Sequence, residues 1–241
     1  MSEMQDWTAA RVGLGRSGVS IPTASMLRFQ ADHAAARDAV HARFDVEAVE
    51  RGLHHAGVST LRLSTQARDR LEYLRRPDLG RVLAVPDRAR LVELAGAVDL
   101  ALIVSDGLSA TAANLHGASF VAALIARLTD LQVAPVLVIP LARVGLLNDV
   151  GDALKARACA IVVGERPGLS APDGLSLYFE VQPRPGLTDA DRNCIANIRP
   201  TGMPIVEAAG QAASLIQAGL QRGISGTALK VEYDPPPAAL P

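Results

Sequence analysis

The hydrophobic pattern changes character near Val98. Before it, apolar positions recur with helical spacing: Leu27, Ala31, Ala34 and Ala35 form one row, and Phe29, Ala36 and Val40 another, which predicts a helix from Thr23 to about Phe44. Thr23 has N-cap chemistry, a hydroxyl that can accept from first-turn amides. Asp45 caps a second helix that runs through His55 to Gly57, and a third spans Thr65–Arg75 before Pro77. After Val98, short unbroken apolar runs alternate with helical segments. Leu100–Val104, Val136–Ile139 and Cys159–Val163 read as strands covered on both faces, and Leu175–Val181 as a fourth, with an edge position open to it. Between them lie an alanine-rich helix from about Ala110 to Leu128 and a helix Asn148–Ala156; Ile205–Arg222 is a closing helix. The alternation predicts an α/β fold: a doubly wound, mainly parallel, Rossmann-like sheet with a small helical N-terminal region. The expected division is a helical region with a glycine-rich loop at 1–80, an α/β domain at 81–230, and a disordered proline-rich tail at 231–241.

Composition narrows the function classes. The 241 residues can bury a sizeable core. Lys+Arg of 24 against Asp+Glu of 25 leaves a formal charge of −1, so nothing in the balance favours nucleic acid, and 3% aromatics supply few platforms for stacking bases. Two cysteines, Cys159 and Cys194, make neither a disulfide framework nor a zinc pattern, which points to a reducing cytoplasm. The opening MSEMQDWTAA has acids where a signal peptide needs basic residues. The most apolar run, Val133–Leu147, contains Pro135, Pro140 and Arg143 and cannot be a membrane span.

Candidate chemistry gathers where strands end. Ser105–Ser109, Arg143–Gly145 and Gly164–Gly168 are polar, glycine-containing loops after predicted strands. In an open parallel sheet such loops share one edge, where ligands bind. The polar stretch Asp191–Arg199, read as a loop, can fold over the same edge. Glu165 and Arg166 either meet a ligand or make a turn and a local ion pair, and the residues alone leave both readings open. Asp106 before Gly107 is a general base on one reading and ordinary turn chemistry on the other, which leads. Cys194 has arginines nearby, but no histidine lies beyond His116, so a packed thiol is favoured over a nucleophile. Cys159 sits in a strand as core. Gly13-Leu14-Gly15-Arg16-Ser17-Gly18 matches the dinucleotide glycine pattern, with Asp38 downstream. It lacks a good preceding strand, however, and Pro22 stands where the helix should run. His33, Arg37 and His41 align on one helix face as a solvated or subunit-facing stripe. A stand-alone hydrolase or nucleotide-dependent transferase using Asp106, Ser109 and Glu165 is the alternative class, although the chain has neither nucleophile elbow nor Walker loop.

Several long motifs carry a resemblance: RVGLGRSGVSIPT, LRFQADHAAARDAVH, YLRRPDLGR, DLALIVSDGLSATA, ARVGLLNDVGD, GERPGLS, APDG and DRNCIANIRP. Across roughly residues 7–230 the sequence resembles the small (light) subunit of ethanolamine ammonia-lyase. The resemblance implies a lyase subunit, inactive alone, that closes an adenosylcobalamin site against a large catalytic subunit in an oligomer of large/small heterodimers. That enzyme turns ethanolamine into acetaldehyde and ammonia. By motif it implies cofactor contacts at Val144 in ARVG, Glu165 in GERPG and Cys194 in RNCI, and no catalytic residue or metal ligand in this chain. No D-x-H-x-x-G motif offers cobalt a histidine, which agrees with a base-on cofactor. The implied compartment is cytoplasmic, with a bacterial microcompartment as the variant; the family-like segment begins near Trp7, leaving little room for a packaging extension.

Overall fold

A computed structural model describes residues 10–231; residues 1–9 and 232–241, with most of the proline-rich tail, lie outside the described residues. Two strands form the centre. β2 (Leu100–Ser105) and β4 (Ala158–Gly164) are buried at every position and pair in parallel from Leu100↔Ala158 to Ser105↔Val163. On the other side of β2 lies β3 (Val136–Val138), and beyond it β1 (Thr60–Arg62), both parallel. β5 (Leu175–Val181) runs antiparallel to β4, and β6 (Asn193–Ile198) antiparallel to β5, giving the order β1-β3-β2-β4-β5-β6.

The fold is therefore α/β with a mixed six-stranded sheet, not the mainly parallel one expected. Connection length explains the difference. Residues 165–174 between β4 and β5 hold no helix, and a parallel crossover needs about a dozen residues or more, usually with one. The chain can only turn back. β5 is also interior, because Asp191–Arg199, expected as a loop, forms the edge strand β6 over Asn193–Ile198.

Helices cover both faces. On one, α2 (Val46–His55), α5 (residues 110–125, with a π turn at Ala113–Gly117) and α7 (Ile205–Arg222) bury Leu53, Phe120, Leu124 and Ile216 against Leu102, Val104, Val162 and Phe179. On the other, α4 (Val85–Glu93) and α6 (Leu146–Leu154) bury Leu91, Leu147 and Val150 against Ile103, Ile161 and Val163. The period-two alternation of β4 sends Val162 one way and Ile161 and Val163 the other. Asp45 caps α2 as expected, accepting from Ala48 N at 2.9 Å.

Other boundaries moved. α1 is Thr23–His41 with Pro22, not Thr23, at its cap and no side-chain capping bond. α3 is Arg70–Arg75, shorter than expected because Thr65 bridges Leu83 and Asp69 caps the helix by accepting from Glu72 N at 2.8 Å. The glycine-rich segment around Gly15 closes a turn at Ser17 and Ser20, with no strand before it among the described residues. α1 buries only Ala39, leaving Met26, Leu27 and Phe29 exposed.

Below the carboxyl edge, Asp106 is 3% exposed. It accepts from Arg70 Nη1 at 3.0 Å, Leu141 N at 2.6 Å and Ser105 Oγ at 3.2 Å. Asp106→Ala leaves a partly buried guanidinium and a backbone amide without their acceptor, at a cost of about 3–5 kcal/mol. Urea denaturation should show that loss; a change below about 0.5 kcal/mol, the range of ordinary surface substitutions, would remove Asp106 from this structural role.

Candidate functional site

β3, β2 and β4 are parallel, so their carboxyl ends and the loops that follow lie on one edge. The loops after β2 and β4 interlock at two glycines. Leu108 N donates to Gly164 O at 2.8 Å, and a Cβ on Gly107 would stand 2.2 Å from Val163 Cγ2. A Cβ on Gly164 would stand 2.0 Å from Ser109 O. No side chain fits at either place. Glu165 follows this packed junction directly, and its N–H donates to Gly174 O at 2.9 Å.

The Glu165 carboxylate accepts from the Tyr178 hydroxyl at 2.7 Å through Oε1, while Oε2 has no partner among the described residues. Tyr178 is the cross-strand neighbour of Cys194. Burial, reinforced by the hydrogen bond to Glu165, pushes the Tyr178 phenol well above its ordinary range, so it remains a donor. Cys194 is exposed, yet burial of its sulfur raises the thiol to about 11; contact with Tyr178 pulls the other way, and the Glu165 charge adds to the rise. Glu165, Tyr178 and Cys194 thus form one cluster, although Cys194 reaches it from a strand and not from a loop over the edge.

Val144 sits in the turn after β3, which is held from several sides. Tyr73 Oη donates to Ala142 O at 3.1 Å, Arg143 N donates to Gly80 O at 2.8 Å, and Ala142 N donates to Ser105 Oγ at 3.0 Å. The Arg143 guanidinium stacks over the Tyr73 ring at 4.1 Å. Val144 and Tyr178 pack against the same apolar cluster, on the α4–α6 face. Beside Val144 opens a cavity of about 680 Å³, lined in part by Arg81, Arg143, Asn148, Asp149 and Arg192.

One network at the site goes beyond what the sequence reading anticipated. Arg192 donates to Glu180 Oε2 at 2.7 Å, Asp189 Oδ1 at 2.6 Å and Asn148 Oδ1 at 2.7 Å. This network ties the β5–β6 connection to α6. The available signal was Glu180 itself, an acid inside an apolar strand run with Arg192 downstream. Such a charge needs a partner.

The remaining candidates have structural roles. Asp106 holds Arg70, and Ser109 caps α5 by accepting from Ala112 N at 3.1 Å while donating to Pro172 O at 2.8 Å. Neither is left free to act as base or nucleophile. Cys159 is fully buried, and burial pushes its thiol far up. Arg166 is exposed without an ion-pair partner among the described residues, contrary to its reading as half of a local salt bridge. Nor do the described residues include a group of three or more His, Cys, Asp or Glu side chains able to hold a metal ion. No helix among them is long and apolar enough to cross a membrane.

Comparison with known proteins gives one answer. The family model described as Ethanolamine ammonia-lyase light chain matches residues 1–230. The ethanolamine ammonia-lyase small subunit of Ralstonia nicotianae is 47% identical over 235 residues, covering 95% of this chain and 87% of its own length. That of Rhodopseudomonas palustris is 46% identical over 233 residues (95% and 89%), and that of Azotobacter vinelandii 45% over 238 residues (96% and 88%). The chain belongs to the ethanolamine ammonia-lyase light-chain family.

Proposed function

We propose that this chain closes one side of an adenosylcobalamin site in an ethanolamine ammonia-lyase, contacting the cofactor through Val144, Glu165 and Cys194, with a large subunit on the other side. The observation that carries this reading is the Glu165 carboxylate, oriented by Tyr178 through one oxygen and, among the described residues, free at the other. A corrinoid presents an apolar macrocycle rimmed with carboxamides. Val144 and Tyr178 suit the first and the free carboxylate oxygen the second. The residues fit the group.

When bound, the cofactor would supply the radical chemistry of the lyase reaction. The chain's own part is to bind, orient and exclude water. All three contacts fall within 81–230, the proposed cofactor-contacting domain, while 1–80 supplies α1 and the strand β1. The four parallel strands with helices on both faces support a Rossmann-like reading of that part of the sheet. The assembly is proposed as an oligomer of large/small heterodimers in the cytoplasm, without nucleic acid or membrane partners; the relatives' name, small subunit, implies the large one. The stand-alone enzyme reading loses its residues to structure at Asp106 and Ser109.

Three outcomes follow. Glu165→Gln keeps shape but loses charge-assisted bonding, so cobalamin should bind the assembled complex about one to two orders of magnitude more weakly while assembly persists. Unchanged affinity would sink the assignment.

A thiol whose pKa is about 11 stays protonated at pH 8, with thiolate at about one part in a thousand. Iodoacetamide labelling of Cys194 should therefore be slow at pH 8 and accelerate toward pH 11. Cys194→Ala should retain most turnover at saturating cobalamin. Fast labelling at pH 7, or an assembled and saturated variant without activity, would make Cys194 a reactive group instead.

The third outcome concerns α1. A helix of 19 residues that buries only Ala39 draws little stability from tertiary packing. In the isolated chain its amides should exchange with deuterium quickly, and the large subunit should protect them. Equal exchange with and without the large subunit would exclude α1 from the interface.

A further inference from the structure

The cavity beside Val144 holds an unbalanced charge. Its lining places Arg81, Arg143 and Arg192 against Asp149 and Asp189. Arg192 and Asp189 pair with each other at 2.6 Å, and Arg192 also pairs with Glu180. Asp149 is committed elsewhere, accepting from Leu83 N at 2.8 Å and Arg88 Nε at 2.7 Å. Arg81 and Arg143 remain, and neither makes an ion pair among the described residues.

Each of these arginines is positioned. Arg143 is half-buried, stacked over Tyr73, and donates from Nη2 to Tyr73 O at 3.2 Å; its Nε is buried without an acceptor among the described residues. The Arg81 stem lies along Gly145, where a Cβ would stand 3.2 Å from its Cγ and Cδ. Gly145 opens α6 without a side-chain cap, so the positive end of that helix adds to the potential at the same mouth. Two guanidinium groups beside one cavity, with no carboxylate of their own, suit a small anion with several acceptor oxygens.

We propose that Arg81 and Arg143 form an anion subsite for the phosphodiester in the nucleotide arm of the cofactor. This rests on the cobalamin reading above and adds to it a charged anchor separate from Glu165. A phosphodiester suits the pair because it carries one negative charge at all working pH values, and its two non-bridging oxygens can each accept from a guanidinium.

The test uses the assembled complex of both subunits and reads binding by equilibrium dialysis, following corrinoid absorbance. Three probes separate the contributions: cobalamin, cobinamide (lacking phosphate and base) and cobinamide phosphate (phosphate without base). Arg81→Gln is the first variant, since Arg81 is exposed and its side chain makes no hydrogen bond that the fold needs. It should weaken cobalamin and cobinamide phosphate by about tenfold or more and leave cobinamide within about twofold. Arg143→Lys, which keeps a charge but loses the planar fork and its stack on Tyr73, should weaken the two phosphate-bearing probes more than cobinamide, and the wild-type preference for phosphate-bearing probes should shrink as salt rises.

Equal weakening of all three probes, or of none, overturns the subsite. So does a variant that fails to join the large subunit, because the arginines would then be answering a carboxylate of the partner. A wild-type complex that binds none of the probes overturns the cofactor reading itself, a result distinct from the others.

Discussion

One buried carboxylate ties together the parts on which the site stands. Asp106 lies beneath the carboxyl edge at the end of β2 and reaches three neighbours: Arg70 at the start of α3, the Leu141 amide in the turn after β3, and the Ser105 hydroxyl. Arg70 passes the constraint on, donating to Gly107 O at 2.6 Å and to Val40 O near the end of α1 at 2.8 Å. The turn that carries Val144 and the loop that packs under Glu165 are thereby fixed to the same group. Burial pushes the Asp106 carboxyl upward, against the pull of Arg70 and the Leu141 amide. An apolar replacement of the whole group could match its stability, but it could not hold four backbone segments at set distances.

The Arg192 network does the same for the antiparallel half of the sheet. Glu180 is wholly buried, and one of its oxygens has no partner among the described residues, so its pairing with Arg192 only partly offsets the desolvation. Burial raises the Glu180 carboxyl in consequence. What the pair secures is geometry. With Arg192 also bound to Asn148 of α6, the start of β6 cannot slip along β5, and a slip of one residue would send Cys194 to the opposite face from Tyr178.

The sequence was most readable where burial is two-sided. Leu100–Val104 is an unbroken apolar run and Leu175–Val181 a mainly apolar one broken by Ser176 and Glu180, and both proved to be strands; Ile205–Arg222 carries a helical alanine face that proved to be α7. Asn193–Ile198 was unreadable by the same rule, because an edge strand keeps polar residues at alternate or irregular positions and mimics a loop. β1 is three residues long, too short for any periodicity. The direction of β5 was legible in principle, from a helix-free connection, but the alternation of buried strands with helices suggested a parallel sheet. Val144 and Glu165 were legible as loop residues after strands. Tyr178 was not, because its contact with Glu165 exists only once β4 and β5 pair.

Under the proposed cofactor-contacting role, the cluster at Glu165 suits holding better than catalysis. A general acid or base works best when its pKa lies near the operating pH, so that it can both give and take a proton. Here burial moves the neighbouring groups away from neutrality. The Tyr178 phenol lies far above its ordinary value, and the Cys194 thiol lies at about 11. Both remain protonated donors through the physiological range, and Tyr178 uses its proton to fix one Glu165 oxygen. The remaining oxygen is then an acceptor held in one direction. Such a surface can orient a bound group through many turnovers without exchanging protons with it.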